Sequence, residues 1–198
     1  MDRKNLKALL NGRDILESWV SSDHHFGHKN ILKHQARTRP AADIEDMDRM
    51  LVDHHNELVK PDDFVIFLGD LAWNYSDKQL EDLLDRLNGT IALIPGNHDD
   101  RLLRSASRVK KLNVLPEVTH YKRTDLGLAF CHYPLESWRG QGHGSIHLHG
   151  HCHGNLRSPH ARFRRKDIGV DTNDLYPYHL GVVVEQLMQV DISTTDHH

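Results

Sequence analysis

The sequence predicts a single α/β domain, because apolar runs typical of strands alternate along the chain with segments of helical spacing. Polar side chains able to bind metals follow several of these runs directly, and open α/β sheets place their active sites at that position. The chain of 198 residues is long enough for one domain with a sizeable core. Since neither a repeat nor a linker divides the sequence, we take residues 1–198 as one domain.

The predicted strands are short apolar runs, and Phe64–Leu68 is the clearest because its continuous apolar character is typical of a strand buried on both faces. In chain order, the predicted strands are 16–21, 64–68, 90–94, 126–131 and 145–148.

Three helices are predicted between or after these strands. Apolar residues at helical spacing indicate an amphipathic helix over about 44–59, which stops before Pro61. Ser76 is a favourable N-cap for a second helix, and Asn88-Gly89 ends it. A last helix is predicted over about 181–190. His54 and His55, on the first of these helices, are expected at the surface or at its boundary with the core.

The composition is that of an ordinary globular protein, with 38% hydrophobic and 27% charged residues. The net charge of −3 gives no general support for nucleic-acid binding. No apolar run approaches the roughly 20 residues that a membrane span needs, and two cysteines without a paired framework favour a reducing compartment. We therefore expect a cytoplasmic protein without a membrane partner.

Histidine is unusually abundant, at 18 residues, and six of these histidines lie in five short motifs that each follow a predicted strand. Every motif offers carboxylate, amide or imidazole groups, and five such clusters together indicate a metal site. The motifs are Ser22-Asp-His-His25, Gly69-Asp70, Gly96-Asn-His-Asp99, Cys131-His132 and Gly150-His-Cys-His153.

The residue types suggest individual roles. Alternation at a strand end puts Asp23 and His25 on one side, and the carboxylate of Asp70 could bridge two cations. His98 could serve as a general acid, with Asp99 orienting or charging its imidazole. Arg101, close behind, is a candidate for binding substrate phosphate.

Mixed nitrogen and oxygen ligands suit Mn²⁺, Fe, Zn²⁺ or Co²⁺, with Mn²⁺ the first choice and Mg²⁺ also possible. Two divalent ions against two carboxylates leave a charge of about +2, which favours binding of phosphate and hydroxide. A metal centre of this kind lowers the pKa of water from 15.7 to roughly 7–9.

The ordered motifs resemble those of the calcineurin-like metallophosphoesterase superfamily, and they extend from residue 22 to residue 153. The local sequences at 22–28, 132–138 and 169–171 are similar to those of small bacterial and phage phosphoesterases. The resemblance implies a four-layer α/β/β/α sandwich of two mixed sheets with a binuclear metal centre.

By position, the resemblance implies that one metal is held by Asp23, His25, Asp70 and His153. It implies that the other is held by Asp70, Asn97, His132 and His151, with Asp70 and a hydroxide bridging the two. His98 would face the phosphate and protonate the leaving group, and Asn97 would also lie beside the substrate.

The function predicted is hydrolysis of phosphate esters by attack of the metal-bridging hydroxide, with phosphodiesters slightly favoured over monoesters. A nuclease or 3′-end-processing phosphatase is the alternative enzyme, supported by the basic stretch at 157–166 and opposed by the net charge. The third hypothesis is a metal-bound, non-catalytic scaffold for protein partners. The complete ligand set and the presence of His98 argue against it. The oligomeric state is not predicted.

Overall fold

The computed structural model describes residues 3–156 and 163–192, which form two β-sheets with helices. The strands of this part are numbered in chain order: β1 (Trp19–Ser21), β2 (Phe64–Phe67), β3 (Thr90–Leu93), β4 (Asn113–Val114), β5 (Val118–Lys122), β6 (Gly127–Cys131), β7 (Ile146–His149), β8 (Arg165–Asp167) and β9 (Tyr178–His179). The α-helices of the same residues are α1 (Leu6–Leu10), α2 (Ile31–His34), α3 (Ile44–Leu58), α4 (Asp77–Arg86), α5 (Asp100–Ser105) and α6 (Leu180–Met188).

Both sheets are mixed. The first has the order β4–β3–β2–β1–β9, in which only β9 is antiparallel to its neighbour. The second has the order β5–β6–β7–β8, in which only β5 is antiparallel. Parallel strands end at the same edge of a sheet, so the segments after β1, β2, β3, β6 and β7 can meet.

The two faces of the first sheet bury different partners. Phe64, Ile66 and other residues of that face pack against the second sheet, together with Leu128 and Phe130 of β6. The opposite face, which includes Phe67, packs against α3, α4 and α5. All four residues of β2 are buried, as the continuous apolar run predicts. The structure confirms the predicted α/β sandwich with two mixed sheets.

Local sequence sets the two long helices. The Asp43 carboxylate accepts a hydrogen bond from the Asp46 amide and caps the start of α3. At the start of α4, Ser76 and Gln79 form a reciprocal capping box. Both helices lie within the predicted ranges. Within the described residues, no helix has the length and apolar character needed to cross a membrane.

Several boundaries differ from the prediction. The segment Ile15–Glu17 is a 3₁₀ turn capped by Asp14, so the first strand is only Trp19–Ser21 rather than 16–21. The sequence also missed β4, β5, β8 and β9, which are short or half-exposed. His55 is buried rather than at the surface or its boundary, with 1% exposure. Its Nε2 lies 2.9 Å from the carbonyl oxygen of Asn88, which ties α3 to the segment after α4.

Candidate metal centre

The predicted metal ligands all follow carboxyl ends of strands and converge at one edge of the two sheets. In chain order, they follow β1 (Asp23 and His25), β2 (Asp70), β3 (Asn97), β6 (His132) and β7 (His151 and His153).

The first group consists of Asp23, His25 and His153, whose candidate ligand atoms all lie within 4.8 Å of one another. Asp23 and His25 are buried, and Nε2 of His153 lies 4.0 Å from Oδ1 of Asp23. The buried Nε2 of His25 has no hydrogen-bond partner among the described residues. Because a buried polar atom without a partner is costly, this nitrogen fits a cation ligand.

The second group consists of Asp70, His132 and His151, whose candidate ligand atoms also lie within 4.8 Å of one another. Oδ1 of Asn97 joins it, at 3.0 Å from Nε2 of His132 and 2.9 Å from Nδ1 of His151. The Nδ1–H group of His132 donates to the Leu68 carbonyl at 2.7 Å. That bond leaves the Nε2 lone pair of His132 directed into the group.

Asp70 lies between the two groups. Its Oδ2 is 3.6 Å from Nε2 of His25 in the first group and 3.4 Å from Nε2 of His132 in the second. Both separations are long for N–H···O hydrogen bonds. Two ligands bound at 2.0–2.2 Å to one cation can lie about 3–4 Å apart. The spacing therefore fits one carboxylate shared by two cations.

The backbone at the ligands is unusual, because five of them adopt left-handed conformations that cost of order 1–3 kcal/mol each in ordinary residues. Glycines beside them permit close approach: a Cβ at Gly96 would lie 2.3 Å from Oδ1 of Asp70, and one at Gly150 would lie 2.4 Å from Oδ2 of Asp23. The five φ angles are 60° at Asp23, 55° at His25, 53° at Asp70, 70° at His151 and 47° at His153.

Burial and neighbouring charges act in opposite directions on the pKa values of the centre. Burial raises the pKa of Asp23 to about 7, and the charges of His153 and His132 offset this only in part. Burial also tends to raise the pKa of Asp70, but its contacts with His132 and a backbone amide bring that pKa down to about 2. Burial lowers the pKa of His25 to about 3, so its ring stays neutral. Neutral imidazoles beside carboxylates are suited to binding cations.

A buried ion pair between Arg39 and Asp171 lies behind the first group, and neither residue is among the candidates predicted from the sequence. The Arg39 guanidinium donates to both carboxylate oxygens of Asp171, at 2.9 and 2.7 Å. It also donates to the backbone carbonyls of Asp23 and His24, at 2.5 and 2.8 Å. Oδ2 of Asp171 in turn accepts from Nδ1 of His153 at 2.7 Å.

This network fixes both the backbone of Asp23 and the ring of His153. Donation from Nδ1 of His153 leaves Nε2 free to face Asp23 and a cation. Although burial opposes it, the contacts with His153 and Arg39 hold the pKa of Asp171 well below its ordinary value. The sequence contains one indication that Asp171 matters: the segment Gly169-Val-Asp171 resembles the corresponding segment of the family, although the resemblance suggested no role for this residue.

His98 stands at the mouth of the centre, with 37% of its side chain exposed. Its backbone amide donates to Oδ1 of Asp70 at 2.9 Å, and its Nε2 lies 4.0 Å from Oδ2 of the same residue. The ring centroid is 4.8 Å from that of Trp73, which stacks on His28 at 4.0 Å. The imidazole of His98 is thus held beside the ligands while it remains open to solvent.

Asp99 lies in a different place from the one predicted for it. Its buried carboxylate accepts hydrogen bonds from the backbone amides of Asp70 and Gly96, both at 2.8 Å, and of Leu71 at 3.1 Å. In the described parts of the chain these amides, rather than the His98 ring, are its hydrogen-bond partners. Asp99 therefore positions the two loops that carry Asp70 and Asn97.

Arg101 is exposed in the first turn of α5. Residues 157–162 of the basic stretch at 157–166 lie outside the described residues. Arg164 donates to the backbone carbonyls of Gly144, Val190 and Met188, and Arg165 donates to that of Leu135. Arg164 also donates to Sδ of Met188, so its hydrogen bonds hold the segment before β7 and the end of α6.

The residues present fit two divalent cations. Each group supplies a carboxylate and two imidazoles, Asn97 adds a neutral oxygen to the second group, and Oδ2 of Asp70 serves both groups. The unpartnered Nε2 of His25 gives this fit a physical basis.

Known proteins share both the sequence and the fold. The chain is 33% identical over 172 residues to the uncharacterized protein MJ1445 of Methanocaldococcus jannaschii, covering 84% of this chain and 89% of that protein. It is 26% identical over 181 residues to the Gene 66 protein of Mycobacterium phage L5, covering 78% and 86% of the two chains. A crystal structure of AQ665 from Aquifex aeolicus, titled a protein of unknown function, has the same fold: the TM-score is 0.63 at 21% identity, covering 81% of this chain and 93% of that one.

The family model named calcineurin-like phosphoesterase matches residues 18–181, a range that contains both ligand groups and the Arg39–Asp171 pair. Together with the relative at 33% identity, this match confirms the resemblance seen in the motifs. The chain belongs to the calcineurin-like phosphoesterase family.

Proposed function

We propose that this protein hydrolyses phosphate esters, with phosphodiesters slightly favoured over monoesters, at a centre of two divalent cations. The observation that carries the proposal is the position of Asp70. Its Oδ2 is 3.6 Å from Nε2 of His25 in one ligand group and 3.4 Å from Nε2 of His132 in the other. A carboxylate so placed is suited to bridging two cations.

The proposed ligand sets follow the two groups. Asp23, His25, Asp70 and His153 would hold one cation, and Asp70, Asn97, His132 and His151 would hold the other. When bound, two divalent cations supply charge to neutralise the phosphate and lower the pKa of water to roughly 7–9, which makes a nucleophile at neutral pH. Mn²⁺ is the metal we propose first, since the ligands are mixed nitrogen and oxygen donors.

His98 is the proposed general acid. Its ring is open to solvent next to Asp70, so it can reach a leaving-group oxygen that the buried histidines cannot. Asn97 is also exposed at the mouth and is proposed to contact substrate, as is Arg101 on the adjoining helix. The exposed position of these three residues supports a site that accepts varied leaving groups.

We also propose a cytoplasmic location. Cys131 and Cys152 are both free thiols in the structure, and free thiols persist in reducing compartments.

The test is a metal titration of chelator-treated protein with matched aryl phosphate monoester and diester substrates, while bound metal is counted. We expect turnover to rise with about two equivalents of metal, Mn²⁺ giving the largest gain, and the diester to be hydrolysed somewhat faster. Asp77→Asn is a suitable control, since Asp77 is a surface carboxylate paired with Arg108. Failure to bind metal stoichiometrically, or loss of metal in the control, would contradict the proposal.

A further inference from the structure

A second concave region lies along the hairpin of β5 and β6, with a volume of about 890 Å³. Its walls come from the N-terminal segment before and within α1, from the hairpin itself, and from the segment that precedes β7. None of the proposed metal ligands lines it. We call this region the basic groove.

The charge of the groove contrasts with that of the chain. Among the residues that the structure describes, seven Lys or Arg side chains line it against a single carboxylate, that of Asp125, although the whole chain carries a net charge of −3. Arg3 pairs with Glu117 at 2.9 Å, Arg123 pairs with Asp14 and Asp125, and Arg164 donates to backbone carbonyls. Lys4 donates to Oδ1 of Asn113 at 2.6 Å and Lys7 donates to the Lys122 carbonyl at 2.9 Å, and neither neutral partner cancels the charge of its lysine. The remaining excess positive charge is available to an anionic ligand.

Lys122 and Arg139 are the clearest available cations. Both are exposed, and neither side chain has a hydrogen-bond or ion-pair partner in the parts of the chain that the structure describes. Lys122 and His120 share one face of β5, since side chains alternate along a strand. Arg139 lies in the segment that precedes β7 and lines the groove together with Lys122 and His120. Two separate segments of the chain therefore each bring an unpaired cation to the groove.

Apolar side chains add a second kind of surface. Val118 and Met188 are each 42% exposed, which is high for large hydrophobic residues, and both line the groove. A ligand with anionic groups along one side and flat or apolar groups along the other would match this combination. Unpaired nucleotides have that chemistry, whereas a duplex hides its bases.

The groove also has a defined relation to the metal centre. In the hairpin register, Lys122 lies opposite Gly127, and Val118 lies opposite Cys131, the residue before the ligand His132. At about 3.3 Å per residue, the strand distance from Gly127 to Cys131 is roughly 13 Å. A bound strand in the groove would therefore lie along the hairpin that carries one metal ligand.

We propose that the basic groove binds the phosphate backbone of single-stranded nucleic acid. Lys122 and Arg139 would contact phosphates, and Val118 and Met188 would contact bases. This binding goes beyond the proposed hydrolysis and does not require it, so the two can fail separately.

The test measures fluorescence anisotropy of a short labelled oligothymidylate with chelator-treated protein over a range of salt concentrations. We expect the logarithm of affinity to fall with the logarithm of salt by about 0.7 per phosphate contacted. The double variant Lys122→Glu/Arg139→Glu is expected to bind about tenfold or more weakly with a shallower salt dependence. Its turnover of aryl phosphates should stay unchanged.

The matched control is Lys60→Glu/Lys110→Glu, which reverses two exposed cations outside the groove. It is expected to bind the oligonucleotide within about twofold of the unmodified protein. Equal weakening in both double variants, or no binding by the unmodified protein, would overturn the proposal. The proposal would also be overturned if polyglutamate displaced the label as readily as unlabelled oligonucleotide does. The groove would then bind polyanions in general, without a preference for nucleic acid.

Discussion

The two ligand groups of the metal centre are fixed by different kinds of contact. Behind the first group lies a fully buried ion pair, Arg39–Asp171, which holds His153 directly and Asp23 through its backbone. The second group is fixed largely by backbone groups, as in the hydrogen bond from His132 to the Leu68 carbonyl. A buried ion pair thus stabilises the first group, which is one half of the centre. Hydrogen bonds to backbone groups at the strand ends stabilise the second group, which is the other half.

Exposure separates the groups at one ligand each. Two ligands of each group are buried, but the third is half-buried His153 in the first group and exposed His151 in the second, where Asn97 and His98 are exposed as well. The first group is thus held in place by its buried surroundings, and the second group is the one that a substrate can reach from solvent. The division predicts which substitutions unfold or empty the centre and which only slow the reaction.

Asp70→Asn is expected to have the largest effect, because Asp70 is the residue common to both halves. We expect turnover of aryl phosphates to fall by roughly 10³-fold or more and bound metal to drop below two equivalents. Turnover and elemental analysis of the same samples check this result. If both equivalents stayed bound with full turnover, Asp70 would not join the halves.

Asp171→Asn is expected to damage the first half specifically. Breaking a buried ion pair costs about 3–5 kcal/mol, and loss of the carboxylate behind a ligating histidine typically lowers metal affinity about 10–100-fold. Denaturant unfolding of metal-free protein and calorimetric metal titration measure the two effects. Asp99→Asn is the matched variant in the second half, where the partners are neutral amides, and we expect it to lower the free energy of unfolding less. A larger loss in Asp99→Asn would reverse the distinction between the halves.

His98→Ala should leave both halves intact, because the described contacts of the His98 ring with the ligand groups are distant ones: Nε2 lies 4.0 Å from Oδ2 of Asp70, and the ring centroid lies 5.5 Å from that of His25. We expect turnover to fall by roughly 10²-fold, the usual effect of removing a general acid. Bound metal and thermal stability should match those of the unmodified protein. Loss of metal would make His98 part of the second group, and unchanged turnover would remove it from the reaction.

The smallest expected effect concerns His55, which belongs to neither half. Burial lowers its pKa, and its hydrogen bond to Asn88 opposes this only in part. As the pH falls through about 6.5, the His55 imidazole therefore binds a proton in the unfolded chain but stays neutral in the folded protein. The free energy of unfolding consequently decreases on acidification. Thermal unfolding of metal-free protein between about pH 7 and pH 5 should show a shallower decline in His55→Gln. An identical decline would assign the pH dependence to other groups.

The sequence predicted the parts of the centre that depend on local pattern. Every candidate ligand follows a strand end, as the motifs indicated, and the two long helices lie where apolar spacing and the Ser76 cap placed them. The edge strand β5 was missed because it is half-exposed and carries Thr, His and Lys, so it lacks an apolar run. Only its pairing with β6 makes it a strand.

The Arg39–Asp171 pair shows most clearly what could not be predicted from the sequence. The two residues are 132 positions apart, and neither lies in a motif that suggests metal binding. Their interaction exists because the loop before α3 folds back beneath the segment after β8, a long-range contact with no periodic signal. Asp99 was likewise assigned to the wrong neighbour, because adjacency to His98 in sequence does not place its carboxylate against the imidazole.

The left-handed backbone at five of the ligands has a consequence for protein engineering. Glycine adopts such conformations at little cost, whereas other residues lose about 1–2 kcal/mol there. His151 is exposed and has a φ of 70°, so His151→Gly removes a ligand while it relieves backbone strain. A selection for thermal stability of the metal-free protein alone would therefore favour loss of this ligand, and only a selection that also demands activity would keep it.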